Sequence, residues 1–305
     1  MISVRWDKFR MVFSEKQVLA RILLVSLPQN LETMSNLLQG LPHPAIMGIL
    51  NVTPDSFSDG GKYNTMDHAL SHCEQMLAEG ADIIDIGGCS TRPNNPIATE
   101  EEELQRVIPV LAAIKKHFPE TIVSIDTFRK NIAKSCVDEG ADIINDISGG
   151  LFDDAMLTYI GEHRIPYVLM HCVGTPETMH QYSLDGDIHQ TVMDFFERQC
   201  TILEGYGHRD IILDPGIGFG KSLQANYALL RDLDRYRYHG YSILIGISRK
   251  SMIKKLLGPN ADPENGTTVL NTIALVQGAN ILRVHNVANA VEALRLTKNG
   301  VFCSK

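Results

Sequence analysis

GADIIDIGG at residues 80–88 is followed by GADIINDISGG at residues 140–150, so the chain contains nearly the same sequence motif twice, sixty positions apart. Each copy follows an acidic, helix-like segment, continues through apolar residues, and ends in Asp or Asn before paired glycines. A short apolar run bounded by glycine is typical of a fully buried strand. Because one βαβ unit takes at least about 30 residues, the interval would hold two such units.

The same alternation continues along the rest of the chain. From Ala45 onward, apolar strand-like runs alternate with amphipathic segments such as 101–118, 191–207 and 266–278. Apolar positions in those segments recur every three or four residues, which indicates helices with one buried face. The eight predicted strands are 45–50, 82–86, 121–125, 142–146, 167–170, 211–213, 242–246 and 280–284.

Eight strand-then-helix units over about 260 residues match the usual size of a (β/α)₈ barrel. We therefore predict an α/β protein whose TIM barrel spans 45–305, with the repeated motif forming its second and fourth strands. An open, doubly wound sheet uses the same units and is the alternative fold. Residues 1–44 carry no glycine before Gly40, and we assign them to an N-terminal extension of unknown role.

The composition limits the possible partners and surroundings. The chain has 305 residues, 44% of them hydrophobic and 21% charged, and a formal net charge of -8, which argues against nucleic acid as a main partner. No apolar run reaches the ~18–20 residues of a membrane span. The six cysteines include no C-x-x-C pair. We therefore expect a cytoplasmic protein of a reducing compartment, with neither nucleic acid nor membrane as partner.

Polar side chains follow every predicted strand. In a barrel the carboxyl ends of the strands meet at one mouth, where catalysis takes place. Gathering such groups costs free energy unless a partner satisfies them, so we predict the active site there. The residues at these ends are Asn51, Asp85, Asp126, Asn145, Asp146, His171, Asp214, Ser248, Arg249, Lys250, Arg283 and His285.

Polar side chains at these strand ends and in the loops that follow them include three chemical groups. Hydrogen-bond acceptors that suit a flat heterocycle bearing N–H donors are Asp126, Asn145 and Asp214. Donors that suit an anion such as phosphate are Arg92, Arg249, Lys250, Arg283 and His285. Hard oxygens that suit Mg²⁺ bridging phosphates are Asn51, Asp55 and Asp59. The sequence thus predicts a ring at one end of the site and a phosphate with Mg²⁺ at the other.

Two motifs in this region invite other interpretations. GIGFGKS at 216–222 has Pro215 where a P-loop requires its first glycine. We instead expect its glycines to bring the backbone close to a ligand beside Asp214. Cys89 lies in a loop after a strand but has no neighbouring histidine in sequence, so we expect it to shape the loop and not to act as a nucleophile.

Seven motifs, in order, resemble those of dihydropteroate synthases across about residues 45–300. They are ILNVTPDSFSDGG (49–61), GGCSTRP (87–93), SIDT (124–127), INDISGG (144–150), LDPGIGFGK (213–221), ISRKS (247–251) and RVH (283–285). The resemblance implies a TIM barrel. It also implies a transferase that joins 6-hydroxymethyl-7,8-dihydropterin diphosphate to p-aminobenzoate in folate biosynthesis.

The resemblance also implies roles for individual residues. Asp126, Asn145 and Asp214 would hold the pterin ring, and Lys250 would reach it. Arg283 and His285 would bind the diphosphate, with Val284 between them in the substrate site, and Asn51 would ligate Mg²⁺. The residues implied to close over the reacting centre and to line the aryl pocket are Phe57, Thr91, Arg92, Pro93, Phe219 and Ser251. The implied catalytic residues are Asp59, Arg92, Asp126 and Lys250.

The chain departs from many bacterial members of this family at three positions: Cys89 replaces Glu, Asn94 replaces Gly, and Asn286 replaces Asp. These changes concern loop shape and nearby charge, and leave the implied ring-binding set intact. We further expect a homodimer, and sulfonamides as competitive ligands. Two alternatives remain: a methyltetrahydrofolate methyltransferase type of pterin-binding barrel, and a catalytically impaired pterin-binding subunit.

Overall fold

Eight parallel strands close into a barrel, in a computed structural model that describes residues 37–53, 62–90 and 96–299. Each strand pairs with the next along the chain, and the last pairs with the first. The strands are β1 (Ala45–Asn51), β2 (Ile83–Gly87), β3 (Ile122–Asp126), β4 (Ile143–Asp146), β5 (Tyr167–Met170), β6 (Ile211–Asp214), β7 (Ser242–Ile245) and β8 (Ile281–Val284). The predicted TIM barrel is confirmed, and each strand bound lies within one residue of its expected position.

Helices connect the strands and surround the barrel, as the 3.6-residue periodicity predicts. They are α1 (Leu37–Gly40), α2 (Lys62–Glu79), α3 (Glu100–His117), α4 (Lys130–Asp138), α5 (Met156–His163), α6 (Ile188–Gly205), α7 (Leu223–Arg231), α8 (Ser251–Leu257), α9 (Pro263–Val276) and α10 (Val287–Asn299). In the part of the chain that the structure describes, no helix is long and apolar enough to cross a membrane.

The core has two layers because successive residues of a strand point to opposite faces. One layer fills the barrel and is built from Ala45, Met47, Ile83, Ile143, Val168, Ile212, Leu244 and Ile281. The larger layer lies between the strands and the helices and includes the buried rings of Tyr167, Phe196 and Tyr236. In β2, β4 and β8, the residues of this inner layer are Ile83, Ile143 and Ile281. Two positions further along each strand, on the same face, lie Asp85, Asn145 and Arg283.

The repeated motif begins with a turn that joins a helix to the next strand. Gly80 and Gly140 both have positive φ, 105° and 101°, which glycine adopts without steric cost. The aspartate two residues later, Asp82 or Asp142, accepts a hydrogen bond from the backbone N–H of a neighbouring strand, at 2.8 Å from Ile46 and 2.7 Å from Val123. The repeat is therefore a structural unit that fixes each strand to the preceding one.

A third copy of this turn, which the sequence analysis missed, precedes β8. Gly278 has a φ of 94°, and the amide oxygen of Asn280 accepts a hydrogen bond from Ile243 N at 2.9 Å. Asn replaces Asp here, so the turn geometry needs an acceptor oxygen but no charge. The letters GAN alone did not signal the similarity.

The N-terminal end of the barrel is covered by a short segment before β1. Leu38 and Leu41 are buried there against the inner apolar layer. The compact unit that contains the barrel accordingly begins at Leu37, before the predicted start of the barrel domain at Ala45. Residues 1–36 lie outside the described part of the chain, and the role of the extension stays a prediction.

Local signals explain where helix α3 begins. Thr99 accepts a hydrogen bond from Glu102 N, and the Glu102 carboxylate accepts one from Thr99 N at 2.8 Å, a reciprocal capping box. Four glutamates occupy its first turn and Lys115, Lys116 and His117 its last, as the helix dipole favours. Helix α3 therefore begins at a defined residue, Glu100.

Candidate active site

Interior positions of β1 to β4 form a row across one end of the barrel. In the strand register, Asn51 lies beside Gly87, Gly87 beside Asp126, and Asp126 beside Asn145. A Cβ atom at Gly87 would lie 3.5 Å from Asn51 Oδ1 and 3.8 Å from Asp126 Oδ2. Both oxygens therefore border the same space, which glycine keeps open at the carboxyl ends of the strands.

Arg283 of β8 connects two carboxylates of this mouth. Its Nε donates to Asp85 Oδ2 and its Nη2 donates to Asp126 Oδ2, both at 2.6 Å. Asp85 is fully buried, while the side chains of Arg283 and Asp126 each keep 22% of their exposure. Asp85 Oδ2 also accepts from Asn145 Nδ2 at 3.1 Å. Two of the predicted acceptors, Asp126 and Asn145, and one predicted cation, Arg283, thus form a single hydrogen-bonded network with Asp85.

The titration of these groups depends mainly on their burial. Burial raises the pKa of Asp126 to about 7, and Asp85 adds to the rise while Arg283 opposes it. Burial also raises the pKa of Asp214, opposed chiefly by Lys250. For Arg283, burial acts to lower the pKa, but the attraction of Asp85 and Asp126 exceeds it and the pKa rises. Asp126 therefore responds strongly to any charge brought into the mouth.

The β6 side of the mouth is organised by a glycine-rich turn. Asp214 ends β6, and its Oδ1 accepts from Gly216 N at 2.7 Å. The ammonium of Lys250 donates to Ile217 O and lies 4.4 Å from the centre of the Phe219 ring. Burial lowers the pKa of Lys250 to about 8, with Asp214 acting in the opposite direction. These contacts bring Lys250 and Phe219 together as the predicted site requires, and Ser251 follows directly as the exposed first residue of α8.

Beside β8, His285 is fixed by a serine. Its Nδ1 lies 2.9 Å from Ser248 Oγ, and its backbone N–H donates to the same oxygen at 3.2 Å. Ser248 was recognised as a strand-end residue but was given no role by the sequence. The structure gives it one, because it sets the orientation of the imidazole on which the predicted anion site depends.

Two strand-end residues point away from the mouth. The His171 ring packs edge-on against Phe195 of α6 at a centroid distance of 5.1 Å, and burial lowers its pKa to about 3. The carboxylate of Asp146 accepts from the hydroxyl of Tyr167 at 2.6 Å. It also accepts from Ser148 N at 2.7 Å and Gly150 N at 2.8 Å, and so stabilises the loop after β4. Both are structural residues, in contrast to the expectation that polar strand ends face the site.

The side chains of Arg249 and Val284, two further predicted site residues, do not lie in the surroundings that the sequence predicts. Arg249 has a φ of 57°, and its Nε donates to Glu264 of α9, so its guanidinium is directed away from the predicted anion site. The Val284 side chain lies in the core between strands and helices, 1% exposed. Only its backbone could border a substrate.

The residues Asp55, Phe57, Asp59, Thr91, Arg92, Pro93 and Asn94 lie outside the described residues. Their predicted roles therefore stay predictions. Cys89 is described and half-buried, and burial raises the pKa of its thiol, which disfavours the nucleophilic thiolate.

Two contributors to the mouth were missed by the sequence analysis. Asp85 was recognised as a strand end but was assigned no role, although it binds both Arg283 and Asn145. The signal was present, since Asp85 occupies the same place in the first repeat as Asn145 in the second. An apolar cluster of Ile147, Met170, Cys172 and Met179, packed against Phe128, Phe152 and Phe219, was also missed, because apolar strand ends carry no chemical signal.

The fit of this mouth to Mg²⁺ depends on Asn51. Its amide oxygen borders the space above Gly87, near the Asp126 carboxylate. Mg²⁺ keeps several waters, and proteins bind it through one or two oxygens together with substrate phosphates, so this donor chemistry suits the ion. Among the described residues, no group of three or more His, Cys, Asp and Glu side chains could hold a metal by itself. The site would therefore be completed by a phosphorylated substrate.

Comparisons with known proteins agree with this geometry. Residues 47–285 match the family of pterin binding enzymes. Dihydropteroate synthase of Escherichia coli (strain K12) is 44% identical over 262 residues, which cover 85% of this chain and 92% of that protein. The enzyme of Streptococcus pyogenes serotype M1 is 44% identical over 248 residues, covering 80% and 90% respectively.

Solved structures give the same result. Clostridium difficile dihydropteroate synthase in the presence of pteroic acid has a TM-score of 0.77 and 39% identity, covering 84% of this chain and 96% of that one. The Yersinia pestis enzyme with a sulfonamide drug has a TM-score of 0.76 and 40% identity, with coverages of 84% and 93%. The Xanthomonas albilineans enzyme with 4-aminobenzoic acid has a TM-score of 0.75 and 38% identity, with coverages of 84% and 93%. The chain therefore belongs to the family of pterin-binding enzymes, and within it to the dihydropteroate synthases.

Proposed function

We infer that this protein joins p-aminobenzoate to the methylene carbon of 6-hydroxymethyl-7,8-dihydropterin diphosphate, giving 7,8-dihydropteroate and diphosphate. The observation that carries the inference is the network of Asp85, Asp126, Asn145 and Arg283 at the barrel mouth. It presents carboxylate and amide oxygens to a ring that bears N–H donors. The family membership supports the same reaction.

Ring binding depends on charge-assisted hydrogen bonds in a partly dry site. Asp126 and Asp214 accept from ring N–H groups, and Asn145, held by Asp85, accepts or donates beside them. Lys250 reaches the ring from the β6 side, where Ile217 O and Phe219 hold its ammonium. Arg283 also donates to Asp126 Oδ2, so the ring and the guanidinium meet at one carboxylate.

The leaving group is an anion, and cations at the same mouth can neutralise it. His285, fixed by Ser248, and Arg283 bind diphosphate oxygens, and Lys250 adds positive charge nearby. We propose Asn51 as a ligand of Mg²⁺, with Asp59 in the adjoining loop as a further catalytic residue. When bound, Mg²⁺ supplies Lewis-acid charge that stabilises departing diphosphate.

We propose an S_N1-like path for the transfer. The C–O bond to diphosphate breaks with its electron pair, and the dihydropterin spreads the positive charge of the methylene carbon. The aryl amine then forms the C–N bond and loses a proton. No protein nucleophile is required, and the raised pKa of the Cys89 thiol supports a path without one. Arg92, Thr91, Pro93 and Phe57 close over this centre, while Phe219 and Ser251 line the aryl pocket and its sulfonamide mimics.

We propose that the protein forms a homodimer through α9. Val269, Ile273 and Val276 are 51%, 39% and 48% exposed and recur along one face of that helix. Ile273→Asp should convert a dimer to a monomer in analytical ultracentrifugation, whereas Ile202→Asp, at an equally exposed apolar residue of α6, should not. A monomeric wild-type protein would remove this proposal.

A cytoplasmic location is supported by the cysteines. Cys73, Cys136, Cys172 and Cys200 are buried thiols, and Cys89 is also free of a disulfide. Thiols that pack as small apolar side chains are typical of a reducing compartment.

Turnover of purified protein with both substrates tests the proposed function. Formation of 7,8-dihydropteroate together with one equivalent of diphosphate is the expected result. Methyl transfer from a methylated tetrahydrofolate, with no condensation, would instead favour the methyltransferase alternative. Tight binding of dihydropterin diphosphate without any turnover would favour an impaired pterin-binding subunit.

A further inference from the structure

Lys221 is a buried lysine that pairs with no carboxylate among the residues that the structure describes, and it has no assigned role. Lys221 as a whole is only 8% exposed. The ammonium donates to three backbone carbonyls, at 3.0 Å to His171 O, 2.7 Å to Gly216 O and 3.1 Å to Phe219 O. All three protons of the ammonium are therefore used, and all three contacts hold backbone at the carboxyl ends of β5 and β6.

Two of these carbonyls bound the turn of residues 216–219. Phe219 N donates to Gly216 O at 3.2 Å, which closes the turn. Gly216 has a φ of 68°, and a Cβ there would lie 1.7 Å from His171 O, so only glycine allows the close approach that Lys221 bridges. Between the two clamped carbonyls, Ile217 O accepts from the ammonium of Lys250.

We propose that Lys221 is a positioning residue for the transfer reaction, because its ammonium fixes the turn of residues 216–219 from which Ile217 O and Phe219 orient Lys250. The proposal rests on the proposed function only in taking Lys250 and Phe219 as parts of the substrate site. It assigns Lys221 no contact with substrate.

A neutral apolar side chain at position 221 would leave three carbonyls of a buried region without their donor, which the backbone can relieve only by moving or admitting water. Movement of the turn displaces Ile217 O from the Lys250 ammonium and the Phe219 ring from its place below it. A second hydrogen bond, from Gly218 N to Asn226 Oδ1 at 2.5 Å, holds the middle of the turn but neither end.

Lys221→Met is the informative variant, and Lys115→Met is its matched control. Lys115 is also a partly buried lysine bound to a backbone carbonyl, at 2.9 Å from Thr121 O, and it pairs with Asp142 at 2.5 Å. Its partners precede β3 and β4, at the end of the barrel opposite the mouth. Both variants remove an ammonium that donates to backbone carbonyl oxygen, but only Lys221→Met releases the turn.

Steady-state kinetics at a temperature where all proteins are folded should separate the two. We expect Lys221→Met to lower kcat and to raise KM for both p-aminobenzoate and the dihydropterin substrate, each by about tenfold or more, because the turn places Phe219 at the aryl pocket and Lys250 at the pterin ring. Lys115→Met should leave all three constants unchanged even where it lowers the midpoint of thermal unfolding. Unchanged kcat and KM in a folded Lys221→Met protein would show that Lys221 only stabilises the fold.

Two additions keep the test decisive. If Lys221→Met does not fold, Lys221→Gln retains an amide donor for part of the cradle and should show the same pattern with smaller changes. Amide hydrogen exchange should increase at Gly218 and Phe219 in the Lys221 variants while the strand amides remain protected; unchanged exchange there would refute the inference. If the wild-type protein turned over no substrate, the proposed function would fail, and exchange alone would decide whether Lys221 holds the turn.

Discussion

Asn145 Nδ2 donates to Asp85 Oδ2 across 3.1 Å, and the two residues stand at the same place in the two copies of the sequence repeat. Their strands are separated in the barrel by β3, yet both side chains point inward at one level. Arg283 binds the same oxygen of Asp85 at 2.6 Å. The repeat therefore produces a hydrogen bond inside the barrel as well as two similar strands.

Truncation of Asp126 should abolish most of the activity. Its carboxylate is the partner of Arg283 and the predicted acceptor for the pterin ring. We expect Asp126→Ala to lower kcat/KM by at least about 10²-fold, as the loss of a charge-assisted pair in a partly dry site predicts. Asp138→Ala, which removes an exposed i,i+4 pair with Lys134, is the control and should be nearly neutral. Near-normal activity of folded Asp126→Ala would remove Asp126 from the site.

Neutralising Asp85 should weaken catalysis without unfolding the protein. Asp85→Asn keeps the shape of the side chain but loses the charge that holds Arg283. Since charge-assisted hydrogen bonds are about twice as strong as neutral ones, we expect kcat/KM to fall by about tenfold or more. Asp142→Asn disrupts a comparable pair with Lys115 away from the mouth and should leave kcat/KM intact. Equal kinetics for the two variants would mean that Asp85 does not position Arg283.

Cys89 should be replaceable. Burial raises the pKa of its thiol, so the reactive thiolate is scarce at neutral pH. We expect Cys89→Ser to retain substantial activity in the condensation assay, and thiol alkylation to inhibit only through its bulk. Complete inactivation by the serine change would point instead to a covalent intermediate on sulfur.

Sulfonamide binding should depend on diphosphate. If diphosphate with Mg²⁺ orders the loops that contain Phe57 and Arg92, the aryl pocket is complete only after diphosphate is bound. We expect calorimetry to detect tight sulfonamide binding with Mg-diphosphate present and weak binding without it. Equal affinity under both conditions contradicts the ordered mechanism.

The buried His171 should make stability depend on pH. Burial lowers its pKa to about 3, whereas the unfolded chain takes up this proton near the ordinary value of 6.5. Its contribution is therefore fully present above pH 6.5 and is lost as the pH falls towards 3. His171→Gln should flatten the decline of the unfolding free energy over this range, measured by denaturant titration, whereas His117→Gln on the surface of α3 should not. If the unfolding free energy of His171→Gln declined with falling pH as steeply as that of the wild-type protein, His171 would not be the source of this pH dependence.

Much of the fold follows from local signals. Apolar runs of three to six residues between amphipathic segments identified all eight strands, because buried parallel strands are apolar on both faces. Glycine before Ala-Asp marked the turns that begin β2 and β4, since the backbone there needs positive φ. The third such turn, at Gly278 with Asn280, was missed because one substitution broke the letter pattern while keeping the acceptor oxygen.

The candidate active site likewise follows partly from the sequence and partly from the tertiary structure. The sequence by itself determined which residue types end the strands, and hence that acceptors and cations meet at one mouth. Only the tertiary structure decided which of them face inward: Arg283 lies inside the barrel between Asp85 and Asp126, whereas Arg249 turns to Glu264 and His171 packs on Phe195. A shift of one residue at a strand end reverses the face on which a side chain lies, and that direction is fixed by strand register and barrel closure, which contacts between distant parts of the chain establish.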